Sequence, residues 1–397
     1  SKFSNDVLDF NVYLSPFDVY AVTLSKHISQ SGEESVQVHF PDFSCTEPPI
    51  PDSRTVNFAA IYDNITLEDT FEGYLEVIES ATVSDPVVQQ GVLHDNDTGL
   101  PNDCSVIRQA WNDGTFTQGG AFAGPPAQLP PTLPLGVAAP TGGLVGQGYL
   151  INLFTGSAYV QEATPIANYA TTPQHYLPGD LFFYLLPSLA SGNVVSSFVP
   201  NDNSTLMLER VWPFVPDAGL LDPLTAPNPP VPSGINPYPI STVIATNGYN
   251  NEYITEANLS SSTDFVTTLP MKKHGVLNHD LQYLFEYFNR EEQRFQRNPG
   301  FSPPIFGELN SFSREVNVIT LEHQDFIGFP VMGSPNSTLI SLDGAFTDGW
   351  GSVIFTDNIA AGIPAVNSQS ASPNFGYNAG VPAIGFAAFR GTIGEDK

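Results

Sequence analysis

The stretch Ser35-Val36-Gln37-Val38-His39-Phe40 alternates polar and apolar residues with a period of two and ends at Pro41. This alternation is typical of a β-strand with one buried face. Comparable strand patterns, bounded by Pro, Gly, Ser, Asn or Asp, occur at 7–14, 18–24, 73–79, 148–153, 242–245, 264–269, 315–320, 351–355 and 383–389. Many short strands separated by turn residues predict an all-β protein. We expect antiparallel β-sandwich domains of the immunoglobulin-like (Ig-like) kind, joined by long Pro-rich loops.

Helical signals are scarce along the chain. Gln282, Glu286 and Arg290 have a helical spacing, but the aromatic density of 282–292 favours a strand, and we interpret it as one. One short helix is expected at 66–70, where Thr66 would cap the first turn.

Two proline-rich segments interrupt the strand pattern, one near 124–136 and one at 213–239. Such segments cannot join a β-ladder, and they fit either packed loops or linkers in polyproline II form. A chain of 397 residues is long enough for two domains. We predict an N-terminal β-sandwich domain at 1–165 and a C-terminal β-rich domain at 166–397.

The charge balance restricts the partners and the location. Asp and Glu number 41 against 13 Lys and Arg, which gives a net charge of -28. This charge repels nucleic acid and anionic membrane surfaces, and no apolar run of about 18 residues predicts a membrane span. Charged residues form only 14% of the chain, and the chain begins at Ser1 without a basic-plus-apolar leader. We therefore expect a secreted, extracellular or cell-surface protein, as a mature form or a fragment.

The two cysteines, Cys45 and Cys104, both lie in polar, turn-rich surroundings. In an exported protein a disulfide between them is expected, and in the chain-entropy model it would stabilise the fold by about 4 kcal/mol. Two buried free thiols are the alternative. Zinc is not expected, because no Cys-x-x-Cys motif or paired His accompanies them.

Signatures of catalysis are missing from the sequence. It has no Gly-x-Ser-x-Gly elbow, no phosphate loop and no His-Glu-x-x-His motif. We predict that the protein is not an enzyme and that no catalytic residue is present.

Calcium is the one cofactor candidate. Asp95, Asp97 and Asp103 lie in Asp95-Asn96-Asp97-Thr98-Gly99 and the following Asn102-Asp103, which place oxygen ligands at alternating positions. The run departs from the EF-hand pattern at Gly99 and lacks the later Glu. A simple acidic turn is the alternative interpretation, and both stay open.

Six segments along the chain stand out as strand cores rather than catalytic signatures: 5–19, 73–79, 263–273, 287–292, 314–319 and 382–388. Taken in this order, they resemble a family of secreted proteobacterial cell-surface proteins of unassigned function. The resemblance covers nearly the whole chain and implies an exported β-rich protein.

Members of that family carry another β-rich segment before the first motif, whereas this chain begins almost on it. If that strand is missing, Val7, Leu8, Phe10 and Val12 would form an open sheet edge. A neighbouring subunit would fill the edge by strand addition, giving a homo-oligomer or head-to-tail homopolymer.

These patterns predict an extracellular structural protein, a subunit of a surface filament or layer. The alternative is a secreted adhesin or glycan-binding protein in which exposed Tyr side chains and Trp111, Trp212 or Trp350 stack on sugars. Packing of these tryptophans in a core or an interface is the simpler explanation for them.

Overall fold

The computed structural model describes just over half of the chain, in many segments. These are residues 8, 10–28, 30–32, 34–50, 54–57, 70–113, 115–116, 136–153, 157–164, 173, 175, 196–199, 204–207, 245–256, 260–270, 280–295, 308–323, 330–342, 344, 346–356 and 381–390. Strands dominate this part of the chain, which also contains two short helices. The fold is all-β, as predicted.

The N-terminal elements form small sheets and a helix pair. The strands are β1 (Asn11–Tyr13), β2 (Thr23–Ile28), β3 (Glu34–His39), β4 (Cys45–Glu47), β5 (Thr55–Asn57), β6 (Thr82–Val83), β7 (Val137–Ala138), β8 (Gln147–Asn152) and β9 (Ser157–Glu162). The helices are α1 (Pro86–Val92) and α2 (Ser105–Asn112). The pairings are β1 with β4, β2-β3-β5, β6 with β7, and β8 with β9, all antiparallel.

The C-terminal elements are all strands within the described segments. They are β10 (Ser196–Val199), β11 (Ser204–Met207), β12 (Ala245–Thr246), β13 (Gly248–Ile254), β14 (Ser262–Thr268), β15 (Leu281–Asn289), β16 (Glu308–Phe312), β17 (Val316–His323), β18 (Thr338–Leu342), β19 (Asp348–Phe355), β20 (Val381–Pro382) and β21 (Ile384–Arg390). Residues 281–289 form a strand, which confirms the preference for a strand over a helix there.

Two four-stranded sheets share one core. The β13 sheet has the order β13-β19-β15-β16, and the β14 sheet has the order β18-β17-β14-β21. Alternate residues of both sheets enter the core, where the ring centroids of Phe265 and Phe285 lie 5.2 Å apart. Gly351 permits this contact, because a Cβ there would lie 2.8 Å from the Phe285 ring.

One strand pair departs from the antiparallel pattern. Strand β18 runs parallel to β17, and the connection between them includes residues 330–337. The remaining pairs in the two sheets are antiparallel. The two layers fit a β-sandwich, while the immunoglobulin-like topology stays a prediction.

The outer face of the β14 sheet contains a buried carboxylate, Asp264. Its oxygens accept hydrogen bonds from Thr320 Oγ1 at 2.8 Å and from the Met332 backbone N–H at 2.7 Å. Burial nevertheless raises the pKa of Asp264 to about 6. The carboxylate therefore holds the β17–β18 connection against the sheet.

The segment 73–79 forms no strand, so that prediction was wrong. The segment contacts the C-terminal strands through side chains instead of a β-ladder. Tyr74 Oη donates to the Pro270 carbonyl at 3.3 Å, and the carboxylate of Glu72, just before the segment, accepts from Ser334 Oγ. An alternating pattern indicates which side chains can be buried, but it does not guarantee a ladder partner.

Several predicted features lie outside the described residues. These are 66–69 of the expected helix, 124–135 of the first proline-rich segment and all of 213–239. The division at residue 165 stays a prediction.

Candidate functional site

The predicted disulfide is present between Cys45 and Cys104. It joins β4 to the residue that precedes α2, and Cys45 is buried among Tyr13, Ile107 and Phe116. Neither helix was expected from the sequence. The pair Asp85-Pro86 was the available signal, since Asp85 Oδ1 caps α1 by accepting from the backbone N–H groups of Val87 and Val88.

A buried histidine lies in the same core. The His175 imidazole stacks on Trp111 with ring centroids 4.7 Å apart, and its Nε2 lies 2.8 Å from Tyr13 Oη. Trp111 Nε1–H donates to the same hydroxyl at 3.1 Å. Burial lowers the pKa of His175 to about 3, so the imidazole is neutral at physiological pH. This network was not expected from the sequence, because it joins residues far apart in the chain.

Ser15, Asp18 and His94 also come together, but not in the geometry of a hydrolase triad. Ser15 Oγ and Asp18 Oδ2 lie 3.1 and 3.4 Å from one atom, His94 Nδ1. A triad needs the two ring nitrogens to bridge the hydroxyl and the carboxylate. The contacts instead tie the turn 15–18 to the segment that follows α1.

Of the three calcium candidates, Asp97 and Asp103 are exposed and Asp95 is half-buried. The carboxylates of Asp95 and Asp103 cap local turns. Asp95 Oδ1 accepts from Thr98 N at 2.8 Å and from Asp97 N at 3.0 Å, while Asp103 Oδ1 accepts from Ser105 Oγ at 2.6 Å. These bonds lower the pKa of Asp95 and Asp103. Within the described residues, no three His, Cys, Asp or Glu side chains are placed to hold a metal ion. Calcium binding therefore stays a prediction without a preformed cage to support it.

Only part of the predicted strand-addition edge lies within the described residues. Val7 lies outside the described residues, and Leu8 and Phe10 precede β1. The Phe10 ring packs edge-on against Phe40 at 5.4 Å, and Val12 pairs with Thr46 of β4. Phe10 and β1 thus already have partners in their own subunit, and the open edge stays a prediction.

The β8–β9 hairpin is a more exposed candidate. Paired residues on its strands share a face, and one face carries Tyr149, Ile151, Ala158 and Val160, with Gln147 and Glu162 at its end. We call this the open face, because Tyr149 and Ile151 are 63% and 61% exposed. Beyond β8, Leu153 is 88% exposed. Monomeric proteins rarely leave contiguous apolar surface of this kind uncovered.

The hairpin lies in the longest uncharged part of the chain. From Gly114 to Gln161 the sequence contains no Asp, Glu, Lys, Arg or His. The one charged residue of the hairpin is Glu162, which ends β9 and lies on the open face opposite Gln147. In a chain with a net charge of -28, the open face thus carries a single acidic side chain, at one end, to repel a second copy.

Two contacts hold the hairpin to the rest of the protein. The Glu79 carboxylate accepts hydrogen bonds from Thr141 Oγ1 at 2.8 Å and from the backbone N–H groups of Thr141, Gly142 and Gly143. On the face opposite the open face, the Tyr159 ring stacks on Phe386 at 5.6 Å. Its hydroxyl donates to the Ala387 carbonyl of β21 at 3.1 Å. The hairpin is thus fixed at its base and on one face.

The three tryptophans have different surroundings. Trp111 is half-buried in the disulfide-linked core, and Trp212 lies outside the described residues. Trp350 lies on the outer face of the β13 sheet, where it is 37% exposed.

Within the described segments, neither helix has the length and apolar character needed to cross a membrane. Comparison with family models, curated proteins and solved structures finds no match for this chain.

Proposed function

We propose that this chain is an extracellular structural protein, a subunit of a surface filament or layer that assembles by β-strand addition. The open face of the β8–β9 hairpin is the observation that supports this proposal most directly. An exposed, largely apolar two-stranded sheet with one charged residue, Glu162, at its end is suited to packing against a second copy.

Hairpin geometry explains why strand addition is favoured over a flat contact. Within the described part of the chain, β8 and β9 pair only with each other. A two-stranded hairpin is marginally stable by itself, whereas a third strand supplies further ladder bonds and cross-strand contacts. A strand from a neighbouring subunit, added beside β8, would extend the sheet.

The energetics are compatible with assembly despite the acidic surface. Covering a large apolar side chain such as Tyr149, Ile151 or Leu153 contributes about 1.5–3 kcal/mol each. Repulsion between acidic groups is screened over about 8 Å at physiological ionic strength. Assembly is therefore expected to strengthen as salt is added, because the contact itself is mainly apolar and the charges that salt screens repel one another.

This location is supported by one observed feature and by a resemblance that stays a prediction. The Cys45–Cys104 disulfide fits an oxidising compartment. The resemblance to secreted proteobacterial surface proteins points to the same place.

The proposal is tested by measuring the mass of the purified full chain by light scattering over a range of concentrations, at low and at physiological salt. We expect a concentration-dependent increase in mass that Ile151→Asp abolishes. Val77→Asp is the matched control, because Val77 is also exposed but lies outside the hairpin. A wild-type chain that stays monomeric throughout, or equal behaviour of the two variants, would refute the proposal.

A further inference from the structure

The outer face of the β13 sheet carries an aromatic pair beside a carboxylate. Glu252 of β13 and Phe288 of β15 are both paired with Trp350 of β19. Directly paired residues of antiparallel strands point to the same side of a sheet. Glu252, Trp350 and Phe288 therefore form one row across three strands.

Within this row, Trp350 is held rigidly and is still accessible. Its ring is parallel to that of Phe288, with an interplanar angle of 6° and a centroid distance of 4.1 Å. Phe288 covers the indole from the β15 side, so the uncovered side faces β13, the edge strand of the sheet. Because 37% of Trp350 is exposed, a ligand can reach the indole from solvent.

Hydrogen-bond acceptors and hydrogen-bond donors both lie near the indole. Glu252 is exposed and supplies carboxylate oxygens that accept hydrogen bonds. One row away, Asn250 Oδ1 accepts from Ser352 Oγ at 2.7 Å, which orients the Asn250 side chain. Its NH₂ group then provides donors on the same face. In the next row on the other side, Asp348 is paired with Arg290.

We propose that this row, which we call the Trp350 platform, binds the pyranose ring of a neutral glycan. A pyranose has a face of C–H groups that packs on an indole, and hydroxyls around its rim that bond to a carboxylate and an amide. The Trp350 platform offers the matching groups, which are one aromatic plane with hydrogen-bond acceptors and donors beside it. The proposal does not depend on assembly through the hairpin.

The local charge selects neutral sugars. Glu252, Glu256 and Asp348 lie close to a single guanidinium, that of Arg290. A uronic-acid or sialic-acid glycan would bring further negative charge to this surface and to a chain with a net charge of -28.

The proposal is tested by titrating the full chain with neutral hexasaccharides of glucose, N-acetylglucosamine, xylose and mannose, and with polygalacturonate as the anionic comparison. The heat of binding and the change in tryptophan fluorescence are measured at each addition. We expect saturable binding of at least one neutral probe and none of polygalacturonate. Trp350→Ala should weaken binding about tenfold or more, and Glu252→Ala should weaken it by a smaller factor.

Matched variants separate binding from folding and assembly. Tyr149→Ala removes a more exposed aromatic side chain from the hairpin and should leave glycan affinity unchanged. Glu252 is exposed on an edge strand, so Glu252→Ala tests the platform even if Trp350→Ala disturbs the sheet. The proposal is overturned by the absence of saturable binding to any neutral probe up to about 10 mM. Equal affinity of wild type and both platform variants would also overturn it.

Discussion

The stability of the disulfide-linked core should depend on pH through His175. This imidazole is 4% exposed, and burial lowers its pKa from 6.5 to about 3. Between these values the unfolded chain binds a proton that the folded chain does not, so the free energy of unfolding falls as the pH falls. The loss is about 1.4 kcal/mol per pH unit, or roughly 3 kcal/mol at pH 4.5. That loss is a large share of the free energy of unfolding of a typical protein, which is about 5–15 kcal/mol.

Other titrating groups can be separated from this effect. Asp95, Asp103 and Asp113 have a pKa below 3.8, so the stability that they contribute is lost only at lower pH. Asp264 acts in the opposite direction, but its contribution is common to the wild type and to a His175 variant, so the difference between the two proteins isolates His175.

The assay is urea unfolding at pH 7 and pH 4.5, followed by tryptophan fluorescence in a Trp212→Phe, Trp350→Phe background. Trp111 is then the only indole. His175→Phe is the comparison, because it keeps an aromatic ring in the core but cannot be protonated. Between pH 7 and pH 4.5, we expect the protein with His175 to lose roughly 3 kcal/mol more of its free energy of unfolding than the His175→Phe variant. Equal losses in the two proteins would refute the reasoning.

Three further predictions follow from the same structure. The stability that Asp264 contributes should be fully present below its unfolded pKa of 3.8 and lost as the pH rises through about 6. Urea unfolding should therefore show a β14 sheet up to about 3 kcal/mol more stable at pH 4 than at pH 8, and Asp264→Asn should remove this difference. Reduction of the disulfide, which spans 59 residues, should lower the free energy of unfolding by about 4 kcal/mol in denaturant titrations, and the Cys45→Ser, Cys104→Ser double variant should not respond to reductant. Glu79→Gln should speed hydrogen exchange at 141–143, because the amide keeps only one acceptor oxygen, whereas Glu162→Gln on β9 should not.

The strand-rich fold could be predicted because alternation leaves a direct mark on the sequence. Strands β3, β14 and β17 coincide with alternating segments, and the disulfide joins the only two cysteines. Helices α1 and α2 were missed because each is about two turns long. Such short helices depend on tertiary contacts rather than on propensity.

The surfaces that carry the proposals could be predicted only in part. Residues 148–153 were expected to form a strand, but the alternation of Tyr149 and Ile151 does not reveal whether another layer covers them. Trp350 was a candidate from its residue type alone. Its neighbours Phe288 and Glu252 are set by the register of three strands that are distant in sequence, which no local pattern encodes.

Hydrogen exchange of the β8 amides, measured on the assembled and the dispersed protein, tests strand addition most directly. A neighbouring strand added beside β8 would bond alternate backbone N–H groups, so alternate residues of Gln147–Asn152 should become strongly protected on assembly. The Ile151→Asp variant should show no such change at any concentration. Assembly without added protection in β8 would contradict the proposal that these subunits join through this strand.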